Sequence, residues 1–424
     1  MTAELIIYNI HKLYNPLELP PVKGQRMANV EVLTHAYIAI RDGKILDVGQ
    51  GEFKQFIDSK TTLFDASGKI CLPGLIDSHS HLVHAGSRED EFEKLKQGTP
   101  YLDILKAGGG ILGTVDKTRH ASFEQLYKQS YKSLDTMLSY GITTLEAKSG
   151  YGLSLEHELK QLEVSNKLNQ DHPIHIESTY MGAHAIPKEF SHDRALYINQ
   201  IKADLVQIKK SNLTNSVDVF CETGVFDIEE TKDILNAAKS LGFKVKLHAD
   251  EIDSLGGAGL GVDLGATSVD HLMAIKDEDI KKLASSHTIA NILPGTSFYL
   301  NKDYAKARKM IDEGCALSIS GDFNPGSCPT ENFQFIMQLA ANYLKMKPEE
   351  ILTATTINAA YHLGLSRSKG LLKKGWDADI ILLDAPNLAY IFYHFGINHV
   401  TDVFILGKQV VKNKRILRNT YETN

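Results

Sequence analysis

The stretch GLIDSHSHLVH, residues 74–84, sets three imidazoles and one carboxylate at the end of a short apolar run. Side chains alternate faces along a strand, so His79 and His81 point the same way and can converge on one ion, whereas His84 is out of phase. Alone, such a pair also suits a partly buried polar cap on a strand. Two further stretches add donors of the same kind: FKVKLHADE ends a β-type run at His248, and CALSISGDFNPG ends another at Asp322. Three imidazoles and a carboxylate make a tetrahedral or five-coordinate site for Zn2+, with Fe2+ compatible by ligand softness. Structural zinc sites favour thiolates and a closed shell, so a histidine-rich site with more acids nearby reads as catalytic. The chemistry on offer is hydrolysis, because a bound divalent ion lowers the pKa of water to about 7 and supplies hydroxide at neutral pH.

Proton carriers lie close by in the chain. Glu251 follows His248 by three residues and can exchange a proton with the site if the backbone turns there; it also reads as a first-turn acid of the helical stretch that follows. His271, ending ATSVDH, is a candidate to hydrogen-bond the attacking water, or else a polar strand terminus. Asp322 can bind the ion through one oxygen and hold the water's proton through the other. For the substrate, Arg88 in HAGSRED can fork onto a carboxylate, although an arginine among acids is ordinarily a solvated surface residue. Tyr101 in GTPYLDI, Tyr151 in KSGYGLS and His184 in YMGAHAIP fall in loops on the same rim, a lining suited to a small anionic heterocycle. The glycines of AGGGILGTV lack the strand context of a dinucleotide fingerprint and read as a substrate loop, so no organic cofactor is implied.

These groups need a scaffold that brings distant segments to one mouth. Strand-like runs end at 74–78, 141–146, 175–180, 216–221, 244–248, 267–270, 288–293 and 316–320. Amphipathic helical segments such as SFEQLYKQSYKSLDTMLSY and IEETKDILNAAKSLG lie between most of them. His79, His81, Glu146, Tyr180, His184, Glu222, His248, Glu251, His271, Asp322 and Asn324 all fall at or just beyond the carboxyl ends of those runs. A doubly wound sheet would also alternate strand and helix, but only a closed (β/α)8 TIM-like barrel gathers all of these ends around one opening. The two chain ends share a different texture. ELIIYN and YIAIRDGKILDVGQ near the start, with a tight turn at Asp42-Gly43, match ADIILLD and VTDVFILGKQVVKNKRI near the end, with a turn at Gly407-Lys408. A small composite β-domain from residues 1–70 and 375–424 is expected, with the α/β barrel occupying 71–374.

The composition agrees with a large α/β protein. The chain has 424 residues, 43% of them hydrophobic, 23% charged and 32 of them glycine. A net charge of −6 with no dense basic block disfavours nucleic acid and anionic membranes as partners. No apolar run approaches the ~18 residues of a membrane span and no leader pattern precedes the first strand, so the cytoplasm is expected. The four cysteines, Cys71, Cys221, Cys315 and Cys328, are widely spaced and read as reduced core or pocket residues.

PGLIDSHSHLVHAG, TTLEAKSGYGL, YMGAHAIP, KLHADE, SVDHL and SGDFNPG together resemble the imidazolonepropionase family of the metal-dependent amidohydrolase superfamily. KGWDADIILLDAPN is similar to that superfamily's composite β-domain. The first motif marks the superfamily only, whereas EAKSGYGL with MGAHAIP is narrower. The resemblance implies one Zn2+ or Fe2+/Fe3+ per subunit at His79, His81, His248 and Asp322, and proton handling or water orientation by Glu251 and His271. It implies substrate contacts from Arg88, Tyr101, Tyr151, His184 and Asn324, and a homodimer. Glu222 stands where binuclear relatives place a bridging lysine, which favours a single ion. The implied reaction opens the ring of 4-imidazolone-5-propanoate to N-formimino-L-glutamate in histidine degradation. A deaminase acting on a purine, pyrimidine or related ring is the alternative, distinguished by ammonia release. A metal-binding scaffold without catalysis would leave Glu251, His271 and the loop motif without a role.

Overall fold

The computed structural model describes residues 1–98 and 109–418. The chain first lays down β1 (Leu5–Pro16), β2 (Val30–Arg41), β3 (Lys44–Gln50), β4 (Thr62–Asp65) and β5 (Ile70–Pro73). The β2–β3 hairpin turns on Asp42 and Gly43, both with positive φ, the conformation that matches the twist of its strands. Next come eight strands separated by helices: β6 (Leu75–Asp77), β7 (Ile142–Lys148), β8 (His175–Ala183), β9 (Ser216–Cys221), β10 (Lys244–Ala249), β11 (Ser268–His271), β12 (Ile289–Ile292) and β13 (Leu317–Ile319). The chain finishes with β14 (Ile380–Leu383), β15 (Val400–Ile405), β16 (Lys408–Lys412) and β17 (Arg415–Ile416).

Strands β6 to β13 form one parallel sheet in sequential order. Its two edges meet beyond the strand ends, where the Asp322 N–H donates to the His79 carbonyl at 3.0 Å and the His81 N–H to the Phe323 carbonyl at 2.9 Å. The barrel is thus joined at its mouth by the very segments that hold three of the candidate ligands. The intervening helices begin where short polar side chains satisfy their first N–H groups. Ser122 with Gln125 caps the helix Phe123–Ser139, and Asp227 with Glu230 caps Ile228–Ser240. Each helix turns its apolar stripe inward; Ile234, Leu235 and Ala238 are fully buried, each large side chain contributing about 1.5–3 kcal/mol.

The terminal strands make the second sheet, in the order β17-β16-β15-β14-β5-β1-β2-β3, with β4 beside β1. It packs its own apolar face, including Ile7, Ile10, Ile38, Ile380, Leu382 and Phe404. The architecture is therefore a (β/α)8 barrel with a small β-domain built from both chain ends. Three details depart from expectation. Strand β5 carries the sheet on to Pro73, because Ile381 and Leu382 of β14 pair with Leu72 and Cys71, so the chain leaves the sheet only at Gly74. The late hairpin turns on Leu406 and Gly407, both at positive φ, and Lys408 already pairs with Ile405. The C-terminal arm also includes a helix, Leu388–Tyr393, capped by Asn387. All four cysteines are free and buried.

Candidate active site

Two overlapping groups of metal-ligating atoms sit at the carboxyl ends of the barrel strands: His79 with His81 and His248, and His79 with His271 and Asp322, each within 4.8 Å. His79 Nε2 lies 3.4 Å from Asp322 Oδ1, His81 Nε2 3.8 Å from the same oxygen, and His248 Nε2 3.4 Å from His81 Nε2. Backbone bends aim the donors. His271 and Asp322 adopt positive φ, a region uncommon outside glycine and found where strand ends are redirected into a site.

The imidazoles are oriented from behind. His79 Nδ1 donates to Asp270 Oδ2 at 2.5 Å, and His248 Nδ1 to Asp218 Oδ1 at 3.1 Å, leaving each Nε2 to face the centre. His79 Nε2 and both nitrogens of His271 are buried with no hydrogen-bond partner. Unpartnered buried nitrogens are costly, and a shared cation satisfies several together. Burial and the Lys148 charge work against protonation of His79, yet Asp270 and Asp322 carry it up to about 9. Clustered lone pairs, two backing carboxylates and a ligand position that favours positive charge all fit a divalent metal. The chain has a His/Asp metal-binding site.

The acids around it divide into two kinds. Asp322 stays ionised well below the usual carboxylate range: burial opposes this, but His79, whose Nε2 lies 3.4 Å from Oδ1, and the other nearby imidazoles prevail. Its second oxygen accepts from Thr296 Oγ1 at 2.5 Å, so that oxygen is already engaged rather than held open for a water's proton. Burial pushes the Glu251 carboxyl the other way, up to about 8, reinforced by Asp322 and Glu222. Glu251 lies 3.6 Å from His271 Nε2 and sits in a loop, with the next helix starting only at Gly257, which removes the helix-end reading. Glu222 clasps that loop, accepting the backbone N–H groups of Glu251, Ile252 and Asp253 at 2.9–3.1 Å. Burial holds His271 neutral, down to about 3.

The other expected residues fall into place unevenly. His184 stacks on His81 with ring centroids 4.8 Å apart and donates Nδ1–H to the Gly150 carbonyl at 3.0 Å. Tyr151 is buried beside both rings. Arg88 and Asn324 lie to one side and share a cavity of about 530 Å3 with His84, Tyr299 and Phe323. Arg88 holds Glu91 through Nε at 2.8 Å and a terminal nitrogen at 2.6 Å. The Asn324 amide is occupied by its own loop, donating to the Asp322 carbonyl and accepting from Gly326 and Ser327, so any substrate contact would have to replace one of these bonds. Tyr180 turns into the core instead of the mouth, and its strand runs on past it to Ala183. Tyr101 lies outside the described residues.

Asp218, Asp270 and Thr296 were not among the residues expected from sequence. A signal for the first two existed: the tripeptide Ser-Val-Asp occurs at 216–218 and again at 268–270, putting an acid inside each of two buried barrel strands.

A sequence profile described as the amidohydrolase family matches residues 70–410, so the barrel and its strand-end histidines are those of an amidohydrolase. Among solved structures, a zinc-containing adenosine deaminase from Xanthomonas campestris aligns with TM-score 0.71 over 100% of this chain and 95% of its own, at 16% identity. Guanine deaminase from E. coli aligns with TM-score 0.71 over 96% and 99%, at 13% identity. At such identities these likenesses establish the fold alone. Sequence relatives are much nearer. The imidazolonepropionase of Fusobacterium nucleatum subsp. nucleatum is 50% identical over 97% of this chain and 100% of its own, and that of Streptococcus gordonii 47% identical over 98% and 100%. The chain belongs to the amidohydrolase family and, within it, to the imidazolonepropionases.

Proposed function

We propose that this protein hydrolyses 4-imidazolone-5-propanoate, opening the ring to N-formimino-L-glutamate in histidine degradation. The observation that carries this reading is near-full-length identity of about half to imidazolonepropionases, joined to a strand-end His/Asp cluster with a buried carboxyl, raised to about 8, beside it. His79, His81, His248 and Asp322 would hold one Zn2+ or Fe2+/Fe3+, which when bound supplies Lewis-acid polarisation and an ionised water at neutral pH. Neutral His271 is placed to give a hydrogen bond to the oxygen that gains charge on the ring carbonyl. Glu251 exchanges the proton: it takes one as water attacks and returns it to the departing ring nitrogen, a cycle suited to a carboxyl whose pKa lies near the working pH. Asp322, held ionised and fixed by Thr296, serves as ligand. Tyr151 and His184 wall the ring, and Arg88 is the partner for the propionate.

We further infer a homodimer in the cytoplasm. Four buried free thiols support a reducing compartment, and among the described residues no helix is long and apolar enough to cross a membrane. A sedimentation mass twice that of the chain is expected. The deciding assay follows loss of imidazolone ultraviolet absorbance on freshly generated substrate, with bound Zn and Fe quantified in the same preparation. Metal-dependent decay above the spontaneous rate, yielding formiminoglutamate without ammonia, is the expected result. No acceleration by fully metallated protein would defeat the proposal, and ammonia release would move the site to the deaminases.

A further inference from the structure

The interior of a (β/α)8 barrel is ordinarily filled by branched apolar side chains. Here, beneath the metal-binding histidines, it holds Glu146 and Lys148 from β7, Asp218 from β9, Lys246 from β10 and Asp270 from β11, all fully or almost fully buried. Isolated charges in such a place are prohibitively unfavourable, so each must be met by another. Lys246 pairs with Glu146. Lys148 does something different. Its Nζ lies 2.6 Å from Asp218 Oδ2, 2.9 Å from Glu146 Oε2 and 3.9 Å from Asp270 Oδ2, with none of its side chain exposed.

Asp218 and Asp270 are the carboxylates behind His248 and His79. They come from strands on either side of β10, and in a dry interior two carboxylates with no cation between them would repel and drift apart. A displaced carboxylate would no longer hold the Nδ1–H of its imidazole, and the Nε2 would no longer be fixed toward the centre. Lys148 faces both acids at once. Its placement is itself fixed, since its backbone N–H donates at 2.9 Å to the carbonyl of Ser80, between the two histidines of the His-x-His pair.

We propose that Lys148 is a positioning residue for the metal: one buried ammonium ties together the two aspartates that aim His79 and His248, and thereby sets how tightly the ion is held. The inference rests on the reading of those histidines as ligands. Lys246 is the internal control, a second buried lysine in the same network whose close partner is Glu146 rather than either aspartate.

The test compares wild type, Lys148→Met and Lys246→Met by chelator competition for Zn2+ and by the visible absorption of the Co2+-loaded proteins. Lys148→Met is expected to weaken Zn2+ binding about 10–100-fold and to alter the cobalt spectrum, with Lys148→Arg restoring part of the affinity; Lys246→Met should stay within about 3-fold of wild type. Unchanged affinity and spectrum in Lys148→Met, or an equal loss in Lys246→Met, overturns the proposal. Should Lys148→Met fail to fold, Lys148→Gln replaces it with the same threshold. If neither folds while Lys246→Met does, Lys148 belongs to barrel stability rather than to the aim of the ligands, and the proposal falls. A wild-type protein that binds neither ion refutes the metal-site reading instead, which keeps the two failures apart.

Discussion

Replacing Glu251 by glutamine keeps its shape and removes its charge, and it should separate catalysis from stability. Burial lifts the Glu251 carboxyl from 4.5 to about 8 in the folded chain. A raised carboxyl contributes stability that is fully present below about pH 4.5 and is lost as the pH rises through about 8, because only the folded state retains the proton across that window. Glutamine suffers no such loss. At about 1.4 kcal/mol per pH unit the full interval corresponds to about 5 kcal/mol, an upper bound. The side chain is 13% exposed, and water close to it reduces the effect to about 1–2 kcal/mol. In metal-stripped protein, Glu251→Gln should therefore raise Tm by about 1–2 °C at pH 8.5, with the gap closing toward pH 5. In the metal-loaded enzyme the same change should lower kcat by about 10^2–10^4-fold with metal content unaltered. Scanning calorimetry across pH, single-turnover rates and metal analysis on one preparation supply the readouts. Equal melting temperatures at every pH would refute the buried, protonated carboxyl, and an unchanged kcat would refute its role in proton transfer.

Thr296→Val removes the hydroxyl that holds the second oxygen of Asp322 and should weaken metal binding about 10-fold by chelator competition; wild-type affinity would show that Asp322 needs no such support. His184→Phe keeps a ring against His81 but loses the bond to the Gly150 carbonyl, so KM should rise about 10-fold while metal content holds; a loss of metal instead would move His184 into the ligand set. Gly74→Ala places a Cβ 2.2 Å from Thr143 Oγ1 at the passage from β5 to β6, and should cost about 1–3 kcal/mol of stability; an unshifted Tm would mean that the strands part there easily.

What the sequence determined by itself was local in character. The alternation of apolar runs with amphipathic segments, and polar residues placed repeatedly at the ends of those runs, specified a barrel with its chemistry at one mouth, since period and punctuation are properties of neighbouring residues. His79, His81, His248 and Asp322 were legible because each closes an apolar run, and in the structure they converge. Tertiary structure decided how each group is used. That Asp322 and Glu251 differ so widely in proton affinity depends on which carboxyl is ringed by imidazoles and which is buried beside two other acids. That Asn324 clamps its own loop, and that Tyr180 turns inward, depends on backbone turns which strand alternation does not predict. Lys148, Asp218 and Asp270 lie 52 or more residues from one another and become one ionic group only when β7, β9 and β11 are laid around a closed ring. Charge in a barrel interior is tolerable only where opposite charge arrives from another strand, and closure of the fold brings it there.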